Sequence, residues 1–291
     1  MIQPPRRPTL HAFALIVGLL TVGGCGREPP AVDPRPAASM TIASLSPALT
    51  DLVLALGAGD RLVAVSTFEP PRPPTDALPR VGDYQTVDWE QLSRLRPGLI
   101  LTQYRPDKMP EGFRRRAAAL GARVVNVDID TLGDVEAALR DIAAAGAVDP
   151  GPALARFRAE LDQVRARVAG RPRVPTLVVI GETGLTAVGP GNFVDELLAL
   201  AGGENVLKAG PDYATLDRER LLELNPPTII QLLPGASDQV RGQASAFWRE
   251  KMGQLQAVRR GRVRVIDAPD ALLPGTNAAG LARRFAEILH P

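Results

Sequence analysis

Cysteine and histidine are nearly absent from this chain. It has one cysteine, Cys25, and two histidines, His11 and His290. A lone thiol cannot close an intramolecular disulfide. Two histidines at opposite ends supply neither the clustered imidazoles and carboxylates of a divalent-metal receptor nor the base of a Ser-His-Asp or Cys-His hydrolase. No metal site and no catalytic residue are therefore expected. His290, one residue from the end, is expected to be solvated. Aromatic residues make up only 4% of the chain, so each one near a loop is informative. An excess of charge is also missing. Arg6 and Arg7 are the only charged side chains before Cys25, and without them the 34 basic residues are reduced to the number of acidic ones, 32. A nucleic-acid binder would need a concentrated basic footprint. Arg114 to Arg116, and Arg259, Arg260, Arg262 and Arg264, are read as solvated faces, with contact to an anionic ligand group as the alternative. GETGLTAVGPG (181–191) is neither GxGxxG nor a P-loop, which argues against nucleotide use.

The longest apolar run, Leu10 to Val22, is too short to span a bilayer comfortably. After Arg6-Arg7 and before Val22-Gly23-Gly24-Cys25 it reads as the core of an export signal. The end of that run is similar to the lipobox at which bacterial signal peptidase cuts before a lipidated cysteine. Residues 1–24 are thus expected to be a lipoprotein signal peptide, with Cys25 as the lipidation site. Residues 25–39, rich in proline, would form a semi-rigid tether. The mature protein is expected outside the cytoplasm, in the periplasm or at the cell surface, held to a membrane by its lipid.

The remaining chain is long enough for two domains, and it repeats itself. Asp83 to Ile100 (DYQTVDWEQLSRLRPGLI) and Asp212 to Ile229 (DYATLDRERLLELNPPTI) are 129 positions apart and identical at nine of eighteen positions. Composition alone gives roughly one or two matches in such a window. LVLALGAGDRL (52–62) is echoed by ELLALAGGENV (196–206). Two copies mean two similar lobes, too few for a solenoid. Strand-like runs at 41–44, 62–65, 99–102 and 123–127 alternate with helical ones at 47–57, 88–95, 111–120 and 132–145. A second series follows, with strands at 176–180, 229–232 and 263–266 and helices at 192–200, 219–224, 238–258 and 277–289. This alternation predicts α/β lobes with mainly parallel sheets, at 40–148 and 171–291. Between them, Leu154, Phe157, Leu161, Val164 and Val168 recur at helical spacing. They predict one continuous helix within 149–170, a connection that resists large hinge closure.

Ligands of open parallel sheets sit beyond the carboxyl ends of the strands, and with two lobes that means the cleft between them. Tyr84 and Tyr213 occupy matching loops. If the lobes face each other, these rings would come from opposite sides and clamp a large flat ligand; alternatively each plugs its own lobe. Phe68 and Tyr104 are further candidates for the same cleft. Asp88 and Asp217 stand where helix N-caps belong. Glu90 and Glu219, in the first turns, admit two compatible readings: each serves the helix dipole, and together they form a pair of exposed acids that docks on arginines of a two-subunit partner.

SLSPALTDLVLALGAGDRLVAVS, LPRVGDYQTVDWEQLSRLRPGLILTQ, GPGNFVDELLALAGGENV and ATLDRERLLELNPPTII, in that order, resemble the helical-backbone (class III) substrate-binding proteins of ABC importers. That family binds vitamin B12, ferric siderophores and haem, and the resemblance covers about Thr41 to Pro291. It implies two Rossmann-like lobes joined by one long helix. It also implies a monomeric receptor with no enzymatic activity, no cofactor beyond the transported cobalamin, haem or ferric siderophore, and a permease dimer with ATPase subunits as partner. In that family a glutamate of each lobe docks on the permease, and the matching positions are Glu90 and Glu219. The aromatics six residues earlier, tryptophans in vitamin B12 binders, are Tyr84 and Tyr213 here. Haem binders of the family ligate iron through a tyrosine near Asp83, one residue from Tyr84. Two alternatives accompany the corrinoid or iron-chelate reading: a haem receptor of the same family, and a tetrapyrrole chelatase or chaperone outside transport.

Overall fold

Short β-branched runs alternate with amphipathic helices, and the chain lays them down as two sheets. The computed structural model describes residues 40–183 and 185–291, so the leader, Cys25 and the tether lie outside the described residues. The first half contains β1 (Ile42–Ser44), α1 (Pro47–Ala55), β2 (Leu62–Ala64), α2 (Trp89–Leu95), β3 (Leu99–Thr102), α3 (Phe113–Ala119), β4 (Arg123–Asn126) and α4 (Leu132–Gly146). Its strands pair in the order β2-β1-β3-β4, all parallel, as βα units joined by crossovers require.

After α5 (Gly151–Val168) the second half contains β5 (Val174–Ile180), β6 (Thr186–Val188), α6 (Phe193–Leu200), β7 (Gly203–Asn205), β8 (Tyr213–Thr215), α7 (Arg218–Leu224), β9 (Ile229–Leu232), α8 (Asp238–Lys251), α9 (Gln256–Arg259), β10 (Val263–Ile266) and α10 (Ala278–Leu289). The sheet order is β10-β9-β5-β6-β8, with β7 also on β5. β7, β9 and β10 run parallel, but β6 is antiparallel to β5 and β8 to β6. This mixed edge is not visible in the helix-strand alternation, because each of its strands is only three residues long.

Along β3, Leu99 and Leu101 enter one hydrophobic cluster and Ile100 another; along β5, Val178 and its neighbours Leu177 and Val179 divide in the same way. This is the two-residue period of a strand buried on both faces. The largest cluster takes side chains from both halves, among them Leu52, Leu139, Leu197 and Phe285, with Phe157 and Leu161 of α5 between. α5, roughly 27 Å long at about 1.5 Å per residue, therefore works as shared core and as connector. Polar ties add to it. Asp51 of α1 accepts from the amide and hydroxyl of Thr276, each at 2.7 Å. Glu196 of α6 accepts from the Leu132 amide at 2.7 Å. Hydrogen bonds from Arg158, then Arg140, pull the Glu136 carboxyl to about 2, which fastens α5 to α4. The described residues belong to one compact unit.

Two expectations are corrected. The helix predicted over 238–258 breaks after Lys251 and restarts at Gln256. Gly253 is a weak helix former, and the restart is fixed elsewhere: Gln256 N donates to Asn225 Oδ1 (2.8 Å) and Ala257 N to the Pro226 carbonyl (3.1 Å). His290 is not solvated. It is 8% exposed, with Nε2 buried against Gly202 and without a hydrogen-bond partner among the described residues.

The predicted caps are present. Asp88 accepts from Gln91 N at 2.9 Å and Asp217 from Arg220 N at 2.7 Å. Replacing either with alanine is expected to cost about 1 kcal/mol, read as a shift of the urea midpoint without a change in slope.

Candidate functional site

The sequence repeat is a structural repeat. In each copy an aspartate caps a seven-residue helix, α2 or α7, that buries one leucine completely, Leu92 or Leu221. Each helix then ends on a left-handed residue, Arg96 (φ 48°) or Asn225 (φ 38°), and the chain enters β3 or β9. Both helices sit on the cluster opposite the shared core, so each faces outward from its sheet.

Ahead of each helix a short segment presents the tyrosine, and here the copies differ. In the first, Gly82 bridges Val87 in a tight hairpin with Tyr84 at its tip. The Asp83 carboxylate holds that tip: Oδ1 accepts from Gln85 N (2.6 Å) and Thr86 N (2.9 Å). Asp83 N donates to the Thr86 carbonyl (2.8 Å). Gly82 has φ 108°, and a Cβ there would lie 2.0 Å from the Thr86 carbonyl oxygen. Only glycine fits. In the second copy Tyr213 opens β8, opposite Val188 of β6. Asn192, 3% exposed, holds this segment by donating to the carbonyls of Gly189 (3.2 Å) and Asp212 (2.9 Å), while its Oδ1 caps α6. A Cβ on Gly189 would lie 1.9 Å from the Pro211 carbonyl oxygen.

These frames leave the rings in the open. Among the described residues the exposed large hydrophobics are Phe68 (62%), Tyr84 (57%) and Tyr213 (44%). Three of the four aromatics expected at the ligand surface from the sequence are thus the three left uncovered by the fold. Phe68 and Tyr84 stack with centroids 6.4 Å apart and planes 29° apart. Thr67 Oγ1 donates to Asp83 Oδ2 (3.4 Å) and Thr67 N to the Gly82 carbonyl (2.9 Å), so Asp83 serves both rings. Burial, then the charges of Asp212 and Asp130, raises the Tyr213 phenol.

Tyr104 differs from expectation. It is 4% exposed, and its ring packs edge-on against Phe113 at 5.6 Å inside the first lobe. Its hydroxyl has no hydrogen-bond partner among the described residues. Burial, then the charge of Asp83, raises its pKa. Asn126 fixes the Tyr104 backbone at both its amide and its carbonyl, each at 2.9 Å. An aromatic directly after β3 looks the same in sequence whether it turns outward or inward.

Glu90 and Glu219 are both exposed on the first turns of α2 and α7. Arg94 pairs with Glu90 across one turn. The supporting residues Asp83, Thr67 and Asn192 are not evident from pattern alone. Asn192 does carry an N-cap signal, and Asp83 lies within the repeat. Among the described residues no group of three or more His, Cys, Asp or Glu is placed to hold a metal ion, and no helix is long and apolar enough to cross a membrane.

Comparison with known proteins gives a consistent result. Residues 42–269 match the periplasmic binding protein family. A vitamin B12-binding protein of Yersinia pseudotuberculosis is 29% identical over 243 residues, 81% of this chain and 80% of the relative. The crystal structure of a periplasmic vitamin B12-binding protein of Vibrio cholerae has 24% identity and a TM-score of 0.71, over 87% of this chain and 97% of that one. A periplasmic heme-binding protein of the same organism has 22% identity and a TM-score of 0.73, over 87% and 100%.

Proposed function

The chain belongs to the periplasmic binding protein family, and from that premise we propose that it captures a corrinoid or an iron chelate between its lobes and delivers it to an ABC permease. Members of the family bind and release; they are not enzymes. The observation that carries the reading is the exposure of Tyr84 and Tyr213. Each copy of the repeat leaves one phenol bare in an otherwise well-covered fold, and each is braced from beneath by side-chain hydrogen bonds. An exposed ring on a rigid frame is a low-cost contact for a flat apolar face. The relatives named for vitamin B12 and heme point to the same size and shape of ligand.

The deciding experiment titrates the mature protein with cobalamin, cobinamide, haemin and a ferric siderophore, followed by tryptophan fluorescence and visible absorbance. Tight cobalamin or cobinamide binding selects the corrinoid. A Soret shift with haemin that is lost in Tyr84→Phe selects haem. No response to any of the four overturns the reading.

Glu90 and Glu219 are read as the two docking acids, one per lobe on matching helices, for guanidinium groups of a permease dimer driven by its ATPase subunits. Glu90→Ala and Glu219→Ala are expected to leave ligand affinity within about twofold of the parent, since both lie on outward-facing helices. Each should cut ATP-driven uptake in reconstituted vesicles by tenfold or more, at about 1.4 kcal/mol per decade. Loss of ligand binding in either variant would remove the assignment. Cys25 is read as the lipid anchor. Growth with a labelled fatty acid should label the chain, and Cys25→Ala should release it from the membrane.

A further inference from the structure

Positive charge gathers at one place in each half, and both places adjoin a helix that carries a docking acid. Past residue 39 the chain has 30 basic and 30 acidic residues. Residues 249–264 alone hold six of those cations, Arg249, Lys251, Arg259, Arg260, Arg262 and Arg264, against one acid, Glu250. Residues 111–123 hold four more, Arg114 to Arg116 and Arg123, against Glu111. Everything else past residue 39 is left with 20 basic and 28 acidic residues. All ten cations are exposed, and none takes part in an ion pair among the described residues. On α5, by contrast, Arg158, Arg165 and Arg167 pair with Glu136, Asp162 and Glu287.

The two clusters occupy matching places. α3 carries Arg114 to Arg116 and leads into β4, which Arg123 opens; α9 ends at Arg259 and leads through Arg260 and Arg262 into β10, which holds Arg264. β4 and β10 are edge strands of their sheets. α3 packs beside α2. The rings of Phe113 and Trp89 meet at 5.0 Å, and the Arg116 guanidinium lies 5.8 Å from the centre of Trp89, the residue before Glu90. α9 is tied to the end of α7, the Glu219 helix, through Asn225 and Pro226. Charge on an edge strand discourages pairing with another chain, which accounts for Arg123 and Arg264 but not for the arginines on the helices. A protein partner is usually met by apolar side chains at the centre of the contact, yet Phe113, Ala117, Met252, Leu255 and Ala257 are all turned inside. What these surfaces offer is charge. Nine of the ten cations are arginine, whose forked donors fit phosphate oxygens.

Resting on the docking reading of Glu90 and Glu219 above, we infer that the two basic edges settle on anionic phospholipid head groups beside the permease. A permease is embedded in a bilayer, so a face that brings both glutamates to it also brings the flanking arginines to the lipid. Because the rest of the protein is net negative, an anionic bilayer attracts these edges and repels other approaches. The receptor is thereby oriented for delivery. Exposed charges are screened beyond about 8 Å at physiological salt, so the attraction orients a tethered receptor without holding a free one.

The test takes mature protein carrying Cys25→Ala, so that no lipid anchor contributes, and sediments it with vesicles of phosphatidylcholine alone or mixed with phosphatidylglycerol. At low NaCl, binding to the mixed vesicles is expected to be at least about tenfold tighter, and to fade at high NaCl. Arg259→Gln/Arg260→Gln/Arg262→Gln should weaken it by about tenfold. Arg156→Gln/Arg283→Gln/Arg284→Gln makes the same change in net charge on α5 and α10, at exposed residues that are also in no ion pair. This control should stay within about twofold of the parent. Equal binding to both kinds of vesicle, or equal loss in the two triple variants, would overturn the inference. So would binding that appears only when the permease is present, which would assign the arginines to a protein contact. Glu90→Ala/Glu219→Ala should bind the mixed vesicles at least as tightly as the parent, so failure of the acids in uptake and failure of the basic edges on lipid are read separately.

Discussion

Mature protein in which Tyr84 and Tyr213 are both alanine should fold normally and lose most of its ligand affinity. Each ring that is covered on binding contributes about 1–3 kcal/mol through area burial and face contact. The pair then accounts for about 2–6 kcal/mol, a loss of roughly 30-fold at the low end and more than 10³-fold at the high end. Stability should barely move, because the rings are 57% and 44% exposed and the hairpin and β8 are held by Asp83 and Asn192 rather than by the phenols. Single variants should each lose a share, with Tyr84→Ala softened by Phe68, which stacks beside it. The measurement is a binding titration paired with a urea melt. Undiminished affinity in the double variant would remove the tyrosine clamp, and with it the central support for the proposed ligand class.

Phe157→Ala in α5 should lower stability by about 3–5 kcal/mol, the usual cost of emptying an aromatic site in a packed core. The side chain is 2% exposed and lies in the cluster that joins α1 and α4 to α6 and α10. Because that cluster draws on both halves, the loss should shift one cooperative transition rather than split it, with fluorescence and far-ultraviolet circular dichroism moving together. Two separated transitions in the parent protein would show that the halves are stabilised independently and that α5 merely links them. A connecting helix that is also core holds the two halves together, and such rigidity limits the ordering cost of binding.

Much of this was legible because it depends on local patterning. The alternation of strand and helix periods predicts the fold class, the repeat predicts two lobes, and Asp88 and Asp217 predict their own caps. Each of these follows from interactions within about one turn of the residue concerned. Phe68, Tyr84 and Tyr213 could be singled out because aromatics are scarce and two of them sit in the repeat. Tyr104 could not be separated from them, because its direction depends on Phe113 and Asn126, which are distant in sequence. The break between α8 and α9 also escaped local reading, since the bonds that fix it come from Asn225 and Pro226.

What the sequence by itself determined is the inventory: two α/β halves, a helix between them, and one tyrosine and one first-turn glutamate per half. The tertiary structure alone decided which aromatics stay bare and how Asp83 and Asn192 brace them. The physical reason is that exposure and charge pairing are properties of neighbours brought together from distant parts of the chain, whereas helix caps and strand periods are set within a few residues.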